Sequence, residues 1–393
     1  MPGIVIAGAG ECGVRTAFAL RENGYDGPVT LVGEEAHLPY ERPPLSKRRP
    51  TAAKHIASAD TYEAARINLR LGTRVAEIDR AGRTVDLENG ECLDYDTLVI
   101  ATGARPRVFP GLEKALTLRT LDDAAAIMDR FMRSAHVAII GGGFIGLELA
   151  ATARTAGAQL TVVEAADRLM ARAVPPQIAA IIEARHRDAG VELRLGTGVE
   201  RVGDGYVRLA DGSAVEADLV VAGVGAMPDT ALAEAAGLAI ANGIVVDHRF
   251  RTSDPDICAA GDCCAFPWRG RQVRLESWRA THDHASHLAK AIMGAEDTYD
   301  AVPWFWSDQY DLTLQVAGLP EPGHAEVMRP AGDGLILFQI AADGTLVSAA
   351  GAGPGNTIAK DIRLAEMMIA RRISPDPAAL ADPSTNLKAL LKG

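Results

Sequence analysis

Long hydrophobic runs are missing from this sequence: no uncharged stretch reaches the roughly 18 residues that a membrane-spanning helix needs, so none is expected. Positive charge is also short. The chain has 40 Lys and Arg against 51 Asp and Glu, a formal charge of -11. This speaks against nonspecific nucleic-acid binding, which rests on phosphate neutralisation by cationic side chains. An acidic partner would need a local basic patch. Cysteine is sparse, with five in the chain, and Cys12, Cys92, Cys258, Cys263 and Cys264 form no paired Cys-x-x-Cys zinc pattern. Their odd number disfavours a secreted disulfide framework, so reduced thiols and no metal site are expected. The opening Met1-Pro2-Gly3-Ile4-Val5-Ile6 enters a strand at once, without the charged and apolar segments of a leader, and a cytoplasmic location is expected. Aromatics are few, 5% against 48% hydrophobic residues and 39 Gly, a balance that excludes disordered and fibrous chains and suits a glycine-rich α/β enzyme. At 393 residues the chain exceeds one ordinary domain, and two or three units are expected.

What is present is a pattern that occurs twice. Ile4-Val5-Ile6-Ala7 is an apolar strand running into Gly8-Ala9-Gly10-Glu11-Cys12-Gly13, and a helical pattern follows from Val14 to Leu20. A dinucleotide pyrophosphate needs this layout. Gly8 permits the tight turn, Gly10 the approach of backbone to phosphate, and Gly13 the packing of helix on strand, while the helix N-terminus offers its unpaired N–H groups to the anion. A second strand, Val29 to Val32, leads to Glu34, about 20 residues downstream, where an acid would accept ribose hydroxyls. The second copy runs from His136-Val137-Ala138-Ile139-Ile140 through Gly141-Gly142-Gly143-Phe144-Ile145-Gly146, a helical run, and the strand Leu160 to Val163, to Glu164. A carboxylate that bonds the 2′-hydroxyl of NADH repels the 2′-phosphate of NADPH, so Glu164 favours NADH; Arg168, four residues on, is the nearby cation that would soften this choice. Asp96-Thr97-Leu98-Val99-Ile100-Ala101-Thr102-Gly103 and Asp218-Leu219-Val220-Val221-Ala222-Gly223-Val224-Gly225 look like strands that close the two nucleotide units.

Thr252-Ser253-Asp254-Pro255-Asp256-Ile257-Cys258-Ala259-Ala260-Gly261-Asp262 resembles the second FAD motif of the two-dinucleotide flavoprotein superfamily. Pro39 to Lys47, Leu118 to Leu121, Arg274 to Ser277 and Val302 to Tyr310 are similar to the bacterial NADH-dependent ferredoxin reductases that serve haem-thiolate monooxygenases and Rieske-type oxygenases. The resemblance covers essentially the whole chain. It implies an α/β fold with two Rossmann-like dinucleotide-binding domains and a C-terminal α+β domain, a glutathione-reductase-like architecture. FAD would sit in 1–112 and 229–301, NADH in 113–228, and the C-terminal domain would span 302–393. FAD contacts would fall to Gly8, Gly10, Cys12, Gly13, Glu34, Arg42, Lys47, Val75, Ala101, Thr102, Gly103, Arg119, Gly261, Asp262 and Trp278. NADH contacts would fall to Gly141, Gly143, Phe144, Ile145, Gly146, Glu164 and Gly225. The implied partner is a small iron–sulfur ferredoxin, with no nucleic acid or membrane, on a monomer or weak homodimer. Cys12 stands where Ala is usual in the family and Trp278 where Val is frequent, and Arg279 to His284 lacks the usual amide-rich pattern.

In such an enzyme the cofactors carry the electron chemistry, and the protein must hold nicotinamide against isoalloxazine and stabilise the reduced flavin. No general acid or base is demanded. Lys47 resembles the family lysine beside flavin N5, paired with an acid matching Glu148; the bland alternative is a surface cation and a helix-face acid. Trp304-Phe305-Trp306 reads as extended, which puts both indoles on one face, and Trp306 is the residue expected at the flavin edge, or else one more core aromatic. A helix from Ser277 to about Met293 would point its N-terminus at the flavin, with Ser277 as cap.

Other signals carry less. Cys258 and Cys263 have the Cys-x4-Cys spacing of disulfide reductases, but an extended run separates their α-carbons by up to roughly 16 Å, beyond the roughly 7 Å limit of a disulfide. The superfamily disulfide follows the first nucleotide unit, where this chain reads Arg42-Pro43-Pro44-Leu45-Ser46-Lys47, so no redox disulfide is expected. Of His282, His284 and His287, only the last two share a helix face. Arg269, Arg271, Arg274 and Arg279, with Lys47, Arg48 and Arg49, form either a docking patch for an acidic ferredoxin or solvated surface charge. Ile358 to Ile369 reads as a packing helix and Asp376 to Leu391 as a tail helix. The rival functions are an NADH oxidase or small-acceptor reductase, and a redox sensor resembling apoptosis-inducing factor.

Overall fold

The computed structural model describes residues 2–47, 53–131 and 135–392. They divide into two units, Met1–Glu41 with Ala52–Arg105 and Ala226–Ala301, and Arg42–Thr51 with Pro106–Gly225 and Val302–Gly393. Among the described residues no helix is long and apolar enough to cross a membrane.

In the first unit the apolar runs become parallel strands because both faces of the sheet are covered. Gly3–Ala7 is buried throughout. It lies between Val29–Gly33 and Cys92–Ile100, in register Ile4 to Val29 and Ile4 to Thr97. Ile67–Leu71 extends the sheet on one side and Ile257–Ala259 on the other, both parallel. The chain thus leaves its first strand toward one edge and returns on the opposite side. The crevice this opens at the carboxyl end of Gly3–Ala7 is the switch point where open α/β sheets bind ligands.

The second unit repeats the device. His136–Ile140 lies between Gln159–Glu164 and Leu219–Ala222, all parallel, with Glu192–Leu195 and Leu116–Thr117 at the edges. The same unit carries an antiparallel five-stranded sheet in the order Trp304–Gln309, Leu312–Gly318, Leu346–Pro354, Gly334–Ile340, Ala325–Ala331. Leu314, Val316 and Leu337 of that sheet share one buried core with Ile139, Ile178 and Ile182 of the nucleotide fold. The helix Ala359–Ala370 covers its other face through Ile362, Ala365, Met368 and Ile369, against Phe338 and Ile336.

The reading of Asp376 to Leu391 as one tail helix is corrected. The structure has a short helix, Pro377–Ala381, and a separate 3₁₀ segment, Leu387–Lys392. Pro383 has no N–H to continue the first helix and disfavours the helical state of Asp382 before it; Asp382 accordingly lies extended. Its carboxylate turns to accept the N–H of Ser384 at 2.8 Å.

Candidate functional site

At the first glycine turn each glycine answers a different demand. Gly8 has φ +119°, and a Cβ there would come within 2.2 Å of the Ala101 carbonyl oxygen; one on Gly13 would lie 1.9 Å from the Gly8 carbonyl oxygen. Both are required by protein packing. A Cβ on Gly10 would meet nothing within 4 Å, so the space beside it is open at the start of the helix Glu11–Glu22. The second turn matches: Gly141 and Gly146 are closed in by the Gly223 and Gly141 carbonyl oxygens, whereas Gly143 faces open space ahead of the helix Phe144–Thr155. Two helix N-termini with bare middle glycines fit the diphosphates of FAD and NADH.

The loops that end the parallel strands of the first unit gather at its switch point. Ala101 N–H donates to the Ala7 carbonyl at 2.8 Å and Ala260 N–H to the Ile100 carbonyl at 3.0 Å. Thr102 Oγ1 donates to the Asp229 carbonyl at 2.6 Å. Gly261 packs on Cys12, with only 3.0 Å for a Cβ between them, which accounts for a small residue at position 12. Gly103 follows Thr102 at φ +76°, Val75 is buried, and Glu34 is exposed after the second strand. Asp262 follows Gly261 ahead of Cys263. The helix Trp278–Ile292 is capped by Ser277, whose side chain accepts the Ala280 N–H. The Trp278 indole lies over His282, centroids 4.0 Å apart, and His282 Nε2 meets Glu11 Oε1 at 2.8 Å. Burial opposes ionisation of Glu11, but hydrogen bonds from His282 and Arg15 outweigh it and hold the carboxyl below its usual range.

His284 and His287 share one face of this helix, both against Phe250 with ring centroids 4.7 Å and 5.7 Å away, while His282 turns to Glu11. His284 Nδ1 accepts the Gly261 N–H at 3.2 Å, and His287 Nε2 meets the His248 carbonyl at 2.9 Å. All five cysteines are free, and burial pushes the Cys258 thiol up to about 12 and that of Cys263 to about 11. Arg269 pairs with Asp300 and Arg279 with Asp283, each at 3.1 Å, and Arg274 with Glu276. The charge of that basic cluster is therefore largely offset. Arg48 and Arg49 lie outside the described residues.

In the second unit Glu164 closes on its own turn: Oε2 accepts the Gly142 N–H at 2.6 Å and Oε1 the Ala166 N–H at 2.8 Å. Arg168 is turned away, its guanidinium donating to the carbonyls of Ala171 at 2.7 Å and Val174 at 3.1 Å. Ile145 is exposed and Gly225 has φ +103°. Arg42 donates to the Arg119 carbonyl, and the Arg119 N–H to Asp123 Oδ2 at 3.0 Å; both residues belong to the second unit, as does Lys47.

Glu148 sits on the second turn of the helix Phe144–Thr155 and is buried. Lys47 Nζ lies 3.6 Å from its Oε1 and 3.0 Å from Asp308 Oδ2. Ser307 Oγ donates to Glu148 Oε1 at 2.6 Å, and Ser46 Oγ donates to Oε2. Burial pushes the Glu148 carboxyl up, opposed by Lys47, Ser307 and Ser46. Alternation along Trp304–Gln309 turns Trp304 and Trp306 to one side, stacked with centroids 5.4 Å apart, and Trp306 Nε1 donates to Asp308 Oδ2 at 3.1 Å. Lys47 Nζ stands 5.3 Å from the Trp306 ring centroid. Phe305 faces the other way, edge-on to Phe144 at 5.0 Å. Ser46 and Ser307 were not read as site residues from the sequence. The signal for Ser307 lies in that strand alternation, which sets it on the buried Phe305 face.

Residues 2–285 match the family model described as pyridine nucleotide-disulphide oxidoreductase, and 304–391 the reductase C-terminal model. The chain is 41% identical over 404 residues to the anthranilate 1,2-dioxygenase system ferredoxin–NAD(+) reductase component of Burkholderia cepacia, covering 98% of each. It is 37% identical to putidaredoxin reductase of Pseudomonas putida, covering 99% of this chain and 96% of the relative. Among solved structures, the covalent putidaredoxin reductase–putidaredoxin complex matches with a TM-score of 0.94 at 36% identity, over 100% of this chain and 98% of that one.

Proposed function

The chain belongs to the pyridine nucleotide-disulphide oxidoreductase family, and we propose on that premise that it is an NADH-dependent, FAD-carrying ferredoxin reductase. Its acceptor is a small iron–sulfur protein serving an oxygenase, as the names of its relatives suggest. The observation that carries the reading is the doubled turn. One chain holds two helix N-termini whose middle glycines are bare toward open space, Gly10 and Gly143, and each turn is a seat for a dinucleotide. When bound, FAD supplies the conversion between the two electrons of NADH and the single electrons an iron–sulfur protein accepts.

The residues have separable tasks. Glu164 receives the adenosine ribose of NADH and turns away the phosphate of NADPH; Arg168 does not counter it, since its guanidinium is spent on the carbonyls of the 171–174 loop. Lys47 keeps a positive charge beside the reduced flavin, with Glu148 and Asp308 fixing its direction. Trp306 shields that charge from water. The N-terminus of the helix Trp278–Ile292 offers its own partial positive charge to an anionic flavin. No thiol pair takes part: Cys258 and Cys263 are buried and protonated at neutral pH. The free thiols suit work in the cytoplasm.

Stopped-flow reduction of the flavin by NADH and NADPH, followed by cytochrome c reduction with and without added ferredoxins, tests the proposal. Fast reduction by NADH and a cytochrome c rate that depends on ferredoxin are expected. Rapid turnover without any iron–sulfur protein would make it a small-acceptor reductase. Slow turnover with every acceptor, plus an NADH-dependent change in sedimentation, would make it a sensor.

A further inference from the structure

Glu148 is the end point of a line of polar groups that runs from the Lys47 pair through the interior of the second unit. Ser307 Oγ lies 2.6 Å from Glu148 Oε1, Gln309 Nε2 3.1 Å from Ser307 Oγ, His186 Nε2 2.9 Å from Gln309 Oε1, and the Tyr310 hydroxyl 3.4 Å from His186 Nδ1. Glu148, Ser307, Gln309 and His186 are 7%, 1%, 2% and 0% exposed, so water does not substitute for these bonds. Groups of this polarity are placed in a core only with partners. The strand Trp304–Gln309 supplies Ser307 and Gln309, the helix Pro176–Asp188 supplies His186, and the helix Phe144–Thr155 supplies Glu148. Tyr310 follows in the turn to the next strand at φ +56°, a left-handed conformation that tyrosine seldom adopts.

Donor and acceptor chemistry fixes the direction of the whole line. A carboxylate only accepts, so Ser307 donates to Glu148. The Ser307 oxygen must then accept from the Gln309 amide, which turns the Gln309 carbonyl oxygen to His186. That oxygen accepts from His186 Nε2–H, leaving Nδ1 bare to accept from the Tyr310 hydroxyl. Two shifts agree with this: burial lowers His186, keeping it neutral, and burial pushes the Tyr310 phenol up to about 12, keeping its proton. All the dipoles therefore point their positive ends toward Glu148, and such chains polarise one another. The line is not a proton conduit, because an amide passes a proton only by becoming an imidic acid.

We infer that His186 and Gln309 are positioning residues for the Lys47–Glu148 pair, a one-way run of donors that keeps Glu148 a carboxylate inside the fold and so holds Lys47 in place. Its bearing on electron transfer rests on the reading that this pair serves the flavin. The charged and titratable groups that bear on Glu148 are Lys47 and Asp308. Farther along the line lie His186, Tyr310, and Arg185 with its partner Asp311 at 2.6 Å. Lys47 and the donors favour ionisation, whereas burial and Asp308 oppose it.

Infrared difference spectra across a pH titration of the full-length FAD-loaded protein test this directly. The carbonyl band of protonated Glu148 is identified by its loss in Glu148→Gln. Gln309→Leu, which removes the donor to Ser307 and so weakens the Ser307 bond to Glu148 without deleting it, is expected to raise the midpoint of that band by a few tenths of a pH unit, the share that polarisation along a chain adds to one hydrogen bond to a charge. Tyr310→Phe, at the half-buried start of the line, is expected to raise it less, in the same direction. If Gln309→Leu does not fold, as judged by its melting temperature, Tyr310→Phe carries the test alone. A midpoint unmoved or lowered in the variants that fold overturns the inference. The band is read without NADH or ferredoxin, so its failure leaves the reductase proposal standing, and a missing ferredoxin dependence leaves this one standing.

Discussion

Glu164 accepts the N–H of Gly142 through Oε2 at 2.6 Å, so the acid at the end of one strand and the residue before the bare Gly143 in the neighbouring glycine turn form one edge. The carboxylate is thus oriented before any nucleotide arrives. Glu164→Ala is expected to raise the NADH concentration for half-maximal flavin reduction by about tenfold, roughly the worth of one hydrogen bond to a charged group. The NADPH value should rise less or fall, because the repulsion goes with the charge. Equal losses for both nucleotides in stopped-flow reduction would refute this assignment.

The first turn separates ligand space from packing space. A Cβ on Gly13 would meet the Gly8 carbonyl oxygen at 1.9 Å, while one on Gly10 would meet nothing within 4 Å. Gly10→Ala should therefore leave the apoprotein's melting temperature within a few degrees of the parent, since surface-like changes cost about 0.5 kcal/mol or less, and yet purify with little yellow colour. Gly13→Ala should lower the melting temperature sharply whether or not FAD is supplied. Comparing apoprotein thermal melts with flavin absorbance decides both.

His284 is buried without charge, its pKa driven down to about 3 chiefly by burial and then by His287. A base whose folded pKa lies below its unfolded value of about 6.5 takes up protons on unfolding. Its contribution is complete above about pH 6.5 and is lost toward pH 3, at up to about 1.4 kcal/mol per pH unit. His284→Asn keeps an acceptor for the Gly261 N–H but cannot titrate, so urea midpoints measured from pH 7 down to 5 should fall less steeply in the variant. Parallel slopes would show that other groups dominate acid unfolding.

Arg329 is a buried guanidinium that gathers the tail. It donates to the carbonyls of Leu380 at 3.2 Å, Asp382 at 2.5 Å, Pro383 at 3.3 Å and Thr385 at 2.9 Å, and pairs with Asp361 at 3.0 Å. Arg329→Met leaves those acceptors and the Asp361 charge without their donor, a loss of about 3–5 kcal/mol. Faster proteolytic clipping after about residue 375 than in the parent, with a lower melting temperature, is the expected outcome.

Local signals in the sequence were sufficient wherever the chemistry repeats at short range. The glycine turns, the strands that feed them and the acids that follow lie within about 30 residues of one another, and the structure assembles them as the spacing requires. The two-Rossmann α/β class and the ferredoxin reductase family were legible for that reason. The alternation that pairs Trp304 with Trp306 was legible too, but its other half was passed over: Ser307 and Gln309 share the buried face, where polar side chains need partners. Those partners, Glu148 and His186, come from segments more than 100 residues away, and no local pattern announces such a meeting. The tail helix failed on a signal that was present, since Pro383 interrupts it. Arg168 illustrates the remaining kind of gap: four residues from Glu164 it reads as a counter-charge, and only the path of the following loop shows its guanidinium engaged with carbonyls.

The common interior that Leu314, Val316 and Leu337 build with Ile139, Ile178 and Ile182 sets the limits of transplantation. A chimera that borrows only the second nucleotide fold, residues 106–225, would strip an oily seam from its underside and drag an aggregation hazard into its new host. To travel intact, that fold must bring residues 302–393 as its lining, so an engineered change of nucleotide preference is better made by point substitution near Glu164 than by exchange of a module.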